Sequence, residues 1–542
     1  MPDVPAWWAD SGGAGWIPDA WWGTGTPWVL AGLVRGSWRL DEPGPSSRFP
    51  FPGVLQAQVP ASWFDTLAVD EGSAGWDGFD AALARVKASR RPPTPDVTGR
   101  ARPITDLVLS GGSSAYDETG LWIRRGVGPA WMEGGATNWD RGGVGDLALA
   151  GRHAYGFTGA WAAGRHRFRA GLAQRGAAGA LSDFREQAVT GLSGALGYAR
   201  DLRGRELSVT FGQAYDHHES FGGGLDASRR DARGRWVTAE WGGDSLWSGR
   251  VALTQSRVTR QTVNAADRRW SGGSGWVALR MVRRRGPVGL EAALGAGRET
   301  GTGRNGIAPS LAVSFAEGPF AARFHVERVL TPVWSDLAPG QEAFLQRVWA
   351  GGFEADLVPR RGPRAHISWR MGRARDRAIV ARLPLDDLWL RQGYLSEPVY
   401  DFGLATVAGE WRGPAGGVGG EVFGLLRDRS RLQPNVDPGR VAHGFAEVAF
   451  RAFAGDLGVK VRGEVEAVGP RESEQAVPGA IPGYASAGAA VVATLADATI
   501  TLRMRNLEDH ARRETWVNLA TGEPALGPGR EFRLTVGWRL FN

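Results

Sequence analysis

The sequence predicts an all-β fold: a transmembrane antiparallel β-barrel of about 22 strands, within an even range of 18–22, preceded by a short irregular N-terminal region. Three observations carry that expectation. From about residue 104 to the C-terminus, segments alternate apolar and polar residues with a period of two, the mark of strands with two different faces. Short turns and long polar connections take turns between those segments, the asymmetry of outer-membrane barrels. No run of about 18 apolar residues occurs, which excludes a transmembrane helix. The mean hydropathy of −0.26 suits strands in which only every second residue faces lipid.

Residues 1 to 103 stand outside this grammar. They are rich in Trp, Gly and Pro and hold one short helix candidate, Asp77 to Ser89, with Phe79, Leu83 and Val86 at i, i+4 and i+7. Arg90-Arg-Pro-Pro-Thr-Pro95 follows as a linker. This region reads as a degenerate lumenal plug or as a periplasmic segment. Met1-Pro2-Asp3 opens without a basic region or long apolar core, and Trp28 to Val34 is too short and too far in for a signal peptide. Because a barrel needs export, the expectation is a true N-terminus upstream of Met1.

Residues 104 to 542 form the expected barrel. Leu107 to Ser110, Leu121 to Arg125 and Ala130 to Gly135 are the first strand candidates. Further on, Phe168, Ala170 and Leu172 alternate with Arg167 and Arg169; Leu207, Val209 and Phe211 repeat the pattern. In Leu457 to Ala467 one face carries Val459, Val461 and Val465, and the other Lys460, Arg462, Glu464 and Glu466. In Ala498 to Arg505, Ile500, Leu502 and Met504 oppose Thr501, Arg503 and Arg505. The joining turns have turn chemistry, as in Ala163-Gly-Arg165, Arg284-Arg-Gly286, Glu317-Gly-Pro319 and Ala496-Asp497. Asp216 to Arg233, Gln261 to Arg269, Arg427 to Arg440 and Leu507 to Pro528 read as the long connections. The last strand sets Phe532, Leu534, Val536, Trp538 and Leu540 toward lipid and Arg533, Thr535 and Arg539 toward the lumen.

The C-terminal stretch Asn506-Leu-Glu-Asp, Pro528-Gly-Arg-Glu-Phe532 and Arg-Leu-Thr-Val-Gly-Trp538-Arg-Leu-Phe-Asn542 resembles the end of TonB-dependent receptors. That family ends its penultimate strand on Asn-Leu, opens the last strand with a Pro-Gly-Arg turn and closes on an aromatic. The resemblance covers about the last 40 residues and the overall grammar. It implies a 22-strand barrel, a plug, uptake of a ligand captured by extracellular loops, coupling to TonB, and delivery to the barrel-assembly machinery through the last strand. The chain departs from the pattern in two places. Asn542 follows Phe541, and residues 1–103 are shorter than the family's plug, with no recognisable TonB box.

Composition narrows the partners. There are no cysteines, so disulfide frameworks and thiolate metal sites are absent. Positive charge is nearly all arginine, which reads either as anion binding or as a codon-biased genome. The 57 acidic residues follow the 64 basic ones closely, so no nucleic-acid face is expected. Lumen arginines such as Arg167, Arg169, Arg503, Arg533 and Arg539 favour anionic solutes or brace the wall against acids such as Glu464. Asp216-His217-His218-Glu219 is the one dense cluster of metal-ligand character, a weak candidate placed where a strand enters a loop. Trp122, Trp131 and Trp139 suit girdle or packing roles over sugar stacking. Gly301-Thr-Gly-Arg-Asn-Gly306 matches a dinucleotide fingerprint formally but lacks a βαβ unit, so no cofactor is expected. No nucleophile elbow, zincin motif or P-loop occurs, and the chain reads as a non-enzyme. The functional expectation is an outer-membrane receptor or transporter for a small-molecule or metal-complex ligand. The alternatives are a passive porin-like channel without TonB coupling and a surface adhesin or scaffold.

Overall fold

The structure is a computed structural model. It describes residues 103–541 except 114–115, 145–146, 182–185, 223–224, 243–245, 263–264, 335–342, 360–361, 382–392, 414, 428–439, 473–479, 511–512, 518–522 and 527–528. Before residue 103 it describes 16–19, 24–27, 38–41, 66–70, 74–77, 79 and 84–89. Twenty-two antiparallel strands close into one barrel. They are β1 (Ile104–Gly112), β2 (Tyr116–Val127), β3 (Ala130–Val144), β4 (Leu147–Ala163), β5 (His166–Leu181), β6 (Glu186–Asp201), β7 (Glu206–Gly222) and β8 (Leu225–Trp241). Next come β9 (Trp247–Thr262), β10 (Ala265–Arg285), β11 (Val288–Glu299), β12 (Arg304–Glu317), β13 (Phe320–Trp334), β14 (Ala343–Leu357) and β15 (Arg364–Ala381). The circuit ends with β16 (Gly393–Gly413), β17 (Gly416–Arg427), β18 (Arg440–Ala452), β19 (Leu457–Val468), β20 (Tyr484–Leu495), β21 (Ala498–Arg505) and β22 (Glu531–Phe541). Strand β22 pairs with β21 on one side and with β1 on the other, from Arg533↔Gly112 to Phe541↔Ile104, leaving no open edge.

The two-residue turns explain the tight end of the barrel. Gly128, Gly164, Gly286 and Gly318 hold φ of 55 to 58° and precede Pro129, Arg165, Pro287 and Pro319. A positive φ at the first central residue alone is the type II′ hairpin, whose twist matches the strands it joins. Outward positions carry an apolar band that includes Phe211, Val251, Leu253, Val277, Leu294, Val465 and Leu534, each exposed. Tryptophans 161, 241, 247, 349, 369, 411 and 538 share that outward exposure.

Two expectations are corrected and one pair of alternatives is decided. The helix expected over Asp77 to Ser89 is instead a four-residue helix, α1 (Ala74–Asp77), followed by a strand, Ala84–Ser89. That strand pairs in parallel with Trp38–Asp41 and antiparallel with Thr66–Asp70, and the two ladders outweigh a weak helical period; Leu83 lies outside the described residues. The connections expected at Asp216 to Arg233 and Gln261 to Arg269 are largely strand: β7 to β10 run on to Gly222, Leu225, Thr262 and Ala265. Beyond the apolar band both faces of a strand are polar, so alternation fades while the backbone ladder continues. Finally, of the girdle and packing roles open to Trp122 and Trp139, the structure takes packing. They are 4% and 2% exposed, on the parity opposite the exposed Leu121, Ile123 and Met132. Trp131 shares Trp139's parity and is also turned away from the band.

Three of the inward tryptophans stand directly opposite a glycine, whereas Trp139 lies between Glu118 and Arg152. Trp122 pairs with Gly135, Trp236 with Gly212 and Trp276 with Gly297. A Cβ on Gly212 would lie 2.2 Å from the Trp236 ring. The ring covers the neighbouring strand's backbone, which only a glycine leaves bare.

Candidate functional site

Inside the wall, α1 rests on β10, β11, β12 and β13. Its docking side is the parity of Arg250, Trp276, Ala278, Ala293 and Ala308, all buried, opposite the exposed Val251, Val277, Leu294 and Ile307. The segment is therefore in the lumen. Three strand residues hold it. Arg250 Nη1 donates to Asp77 Oδ1 at 2.6 Å, with side chains 4% and 3% exposed. The Trp276 indole N–H donates to the Gly75 carbonyl at 3.3 Å. The Arg280 guanidinium lies 5.9 Å from the Trp76 ring centroid. Gly75 is required by close approach, because a Cβ there would sit 2.6 Å from the Ala293 carbonyl oxygen and 2.9 Å from that of Ala308. Phe79 completes the contact edge-on to Trp276, at 5.1 Å, in a small apolar core with Ala252, Ala308, Leu330 and Leu345.

A second cluster runs over the inner face of the last strands and the closing seam. Arg539 Nε donates to Asp106 Oδ1 at 2.6 Å, and Arg124 donates to Asp106 Oδ2 at 2.7 Å. Arg533 pairs with the buried Glu118, and Ser110 Oγ donates to Thr535 Oγ1 at 2.8 Å. Glu464 is held between Arg462 at 3.0 Å and Arg503 at 2.5 Å. Glu447 is 3.7 Å from Lys460, and the Arg462 guanidinium stacks 4.0 Å from the Phe445 ring centroid. Arg167 pairs with Glu206, while Arg169 lies exposed on the same face. The opposite parity of β22 presents Phe532, Leu534 and Trp538 outward, 51%, 44% and 50% exposed, with Val536 and Leu540 half-buried beside them.

The weak metal candidates are split. His217 and Glu219 share the outward parity of Phe211 and lie 2.8 Å apart, and His217 Nδ1 is 2.8 Å from Asp231. Tyr215 donates to the same Asp231 oxygen at 2.5 Å. Asp216 faces the other way and is buried, and the His218 side chain lies outside the described residues. Among the described residues no group of three or more His, Cys, Asp or Glu is arranged to hold a metal ion.

The C-terminal motif is a clasp at the long-loop end. Asn506 is 1% exposed with φ of 51°, its amide donates to the His510 carbonyl at 2.8 Å, and its Oδ1 accepts from the His510 N–H at 3.1 Å. Asp509 Oδ1 then accepts the Arg530 backbone N–H at 2.6 Å, and Arg530 Nε donates to the Leu507 carbonyl at 3.1 Å. Asn tolerates the left-handed backbone and bonds locally, which is why Asn stands there. Pro528 lies outside the described residues.

Sequence reasoning did not single out Gly75, Arg250 or Trp276. The one available signal was parity: Arg250 and Trp276 interrupt the inward faces of strands whose outward faces read Val251, Leu253 and Val277, Leu279.

No protein-family model matches the sequence, and no curated protein matches it. Among solved structures, the copper transporter OprC is similar with a TM-score of 0.76 at 12% identity, over 95% of this chain and 92% of that one. The FrpB iron transporter from Neisseria meningitidis (F5-1 variant, apoprotein form) gives 0.73 at 11%, over 93% and 92%. The siderophore receptor PirA from Acinetobacter baumannii gives 0.69 at 10%, over 94% and 89%. The barrel has the fold of TonB-dependent receptors. At these identities the likeness is one of fold.

Proposed function

We propose that this barrel lies in the outer membrane and takes up a small ligand, of the metal or metal-chelate class, from the long-loop side through a lumen gated by its N-terminal region. The observation that carries the reading is the buried Asp77–Arg250 pair, which fastens a lumenal segment to the wall. A 22-strand barrel is too wide for its own side chains to fill, so a segment inside it is needed to close it. The fold shared with iron, copper and siderophore transporters supports the ligand class. The inner arginines, most of them paired with acids, serve to brace the wall and the seam. The last strand, Phe532 to Leu540, presents apolar residues to lipid and is the segment by which the assembly machinery would receive the chain.

Planar-bilayer conductance tests the reading. The purified barrel should be closed at rest, and tryptophan emission should respond to ferric or cupric chelates added on the long-loop side. Large constitutive pores would replace it with a passive channel. A closed barrel that binds no chelate and retains surface partners in pull-down would replace it with an adhesin or scaffold.

A further inference from the structure

On the outward wall of β7 to β10, just past the apolar band, the cross-strand register builds ordered rows. Phe211, Val237 and Leu253 stand side by side, each exposed and apolar. The next row toward the long loops is Gln213, Arg235 and Gln255; the one after it is Tyr215, Arg233, Arg257 and Ser271. Arg233 and Arg257 are direct cross-strand partners, a like-charge pairing that costs stability unless an anion sits between them. Among the described residues, none of Arg233, Arg235 and Arg257 has a carboxylate partner. The acids of the row beyond are taken: Asp231 by Tyr215, His217 and Arg229, and Glu219 by His217. The Arg233 guanidinium lies 5.5 Å from the Tyr215 ring centroid, so one of the three cations is steadied by an aromatic face.

We propose that Arg233, Arg235 and Arg257 bind the phosphate of a lipid headgroup in the outer leaflet. Height supports this. Trp247 stands at the short-turn end of β9 and Arg257 ten residues farther along; at about 3.4 Å per residue and a tilt of about 45°, that is about 24 Å, against an apolar band about 25 Å tall. The three guanidiniums thus fall at the level where lipid phosphates lie, and guanidinium matches phosphate in charge and geometry. The contiguous apolar rows beneath them accept acyl chains, which a free phosphate ion or a soluble acidic protein would leave unused.

The proposal needs the barrel to sit in a membrane and is independent of what the lumen transports. Native mass spectrometry of the purified barrel tests it, with phosphatidic acid in maltoside micelles as the probe. Wild type should retain the lipid. Arg233→Gln, Arg235→Gln and Arg257→Gln combined should retain it about 100-fold more weakly, whereas Arg229→Gln, which is already paired with Asp231, should retain it as wild type does. Heat-modifiable gel mobility checks folding; should the triple variant not fold, R257Q alone carries the same test. Equal retention by wild type and variant overturns the proposal. So does complete displacement by millimolar inorganic phosphate, which would make the site one for free anions. Failure of chelate uptake with lipid retention intact would sink the transport reading and leave this one standing.

Discussion

Asp77→Asn is the sharpest perturbation of the lumen. The carboxylate is 2.6 Å from Arg250, and both side chains are almost fully buried, so the substitution leaves a guanidinium in the wall without its main counter-charge. Breaking a buried pair from one side costs about 3–5 kcal/mol. Glu240, 3.5 Å from Arg250 Nε and 43% exposed, retains part of the neutralisation, which places the loss at the lower end, about 3 kcal/mol. That multiplies the undocked fraction of α1 about 150-fold. The chain has no cysteine, so Ala308→Cys is a unique reporter; residue 308 is 0% exposed and lies beneath Gly75. Its maleimide labelling rate reads the fraction of time the segment is lifted. Adding D77N should accelerate labelling about 150-fold, and Arg250→Gln on top should recover part of it, because no uncompensated charge then remains. A rate unchanged to within about threefold would refute the claim that this pair fastens the segment.

Three further outcomes follow from single contacts. Gly75→Val places a Cβ against two backbone carbonyls that cannot yield, so docking should weaken by about 1–3 kcal/mol in the same labelling assay. Asn506→Ala puts a Cβ residue without a local hydrogen-bonding group at φ of 51° and removes two bonds to His510; urea unfolding in lipid vesicles should show a loss of about 2–4 kcal/mol. Gly212→Ala should cost about 1–3 kcal/mol where Trp236 is present and less beside Trp236→Ala, where the Ala195 Cβ at 2.9 Å is the close contact that remains; equal costs in the two backgrounds would show that the ring does not require the glycine.

The wall was legible because its information is local. Period-two alternation in Leu457 to Ala467 marks a strand whether or not its neighbours are known, and Gly164, Gly286 and Gly318 mark the hairpins that fix the strand count. The strand extensions past Asp216 were hidden for a physical reason. There the ladder is stabilised by cross-strand pairs such as His217 with Asp231, whose two members lie on different strands and leave no period in either. The docking of α1 was hidden more deeply. It spans four residues, far too few for a helical period, and its partners Arg250, Trp276 and Arg280 are about 170 to 200 positions away.

Tryptophan had two destinations that composition alone could not separate. The abundance of this residue in a glycine-rich chain suggested aromatic girdles, and the exposed Trp241, Trp247, Trp349 and Trp369 fit that use. Trp122, Trp236 and Trp276 are instead buried on the inner face, where each ring lies over a glycine of the adjoining strand. Parity decides the face, and the cross-strand partner decides whether an inward ring has room to lie flat. For Trp276 the arrangement has a consequence beyond packing. With Gly297 beside it and a Cβ at Gly295 excluded 2.4 Å from its indole nitrogen, the ring is held flat, and that nitrogen meets the Gly75 carbonyl. The same bare backbone that lets the wall accept a large ring thus builds the donor that receives the lumenal segment.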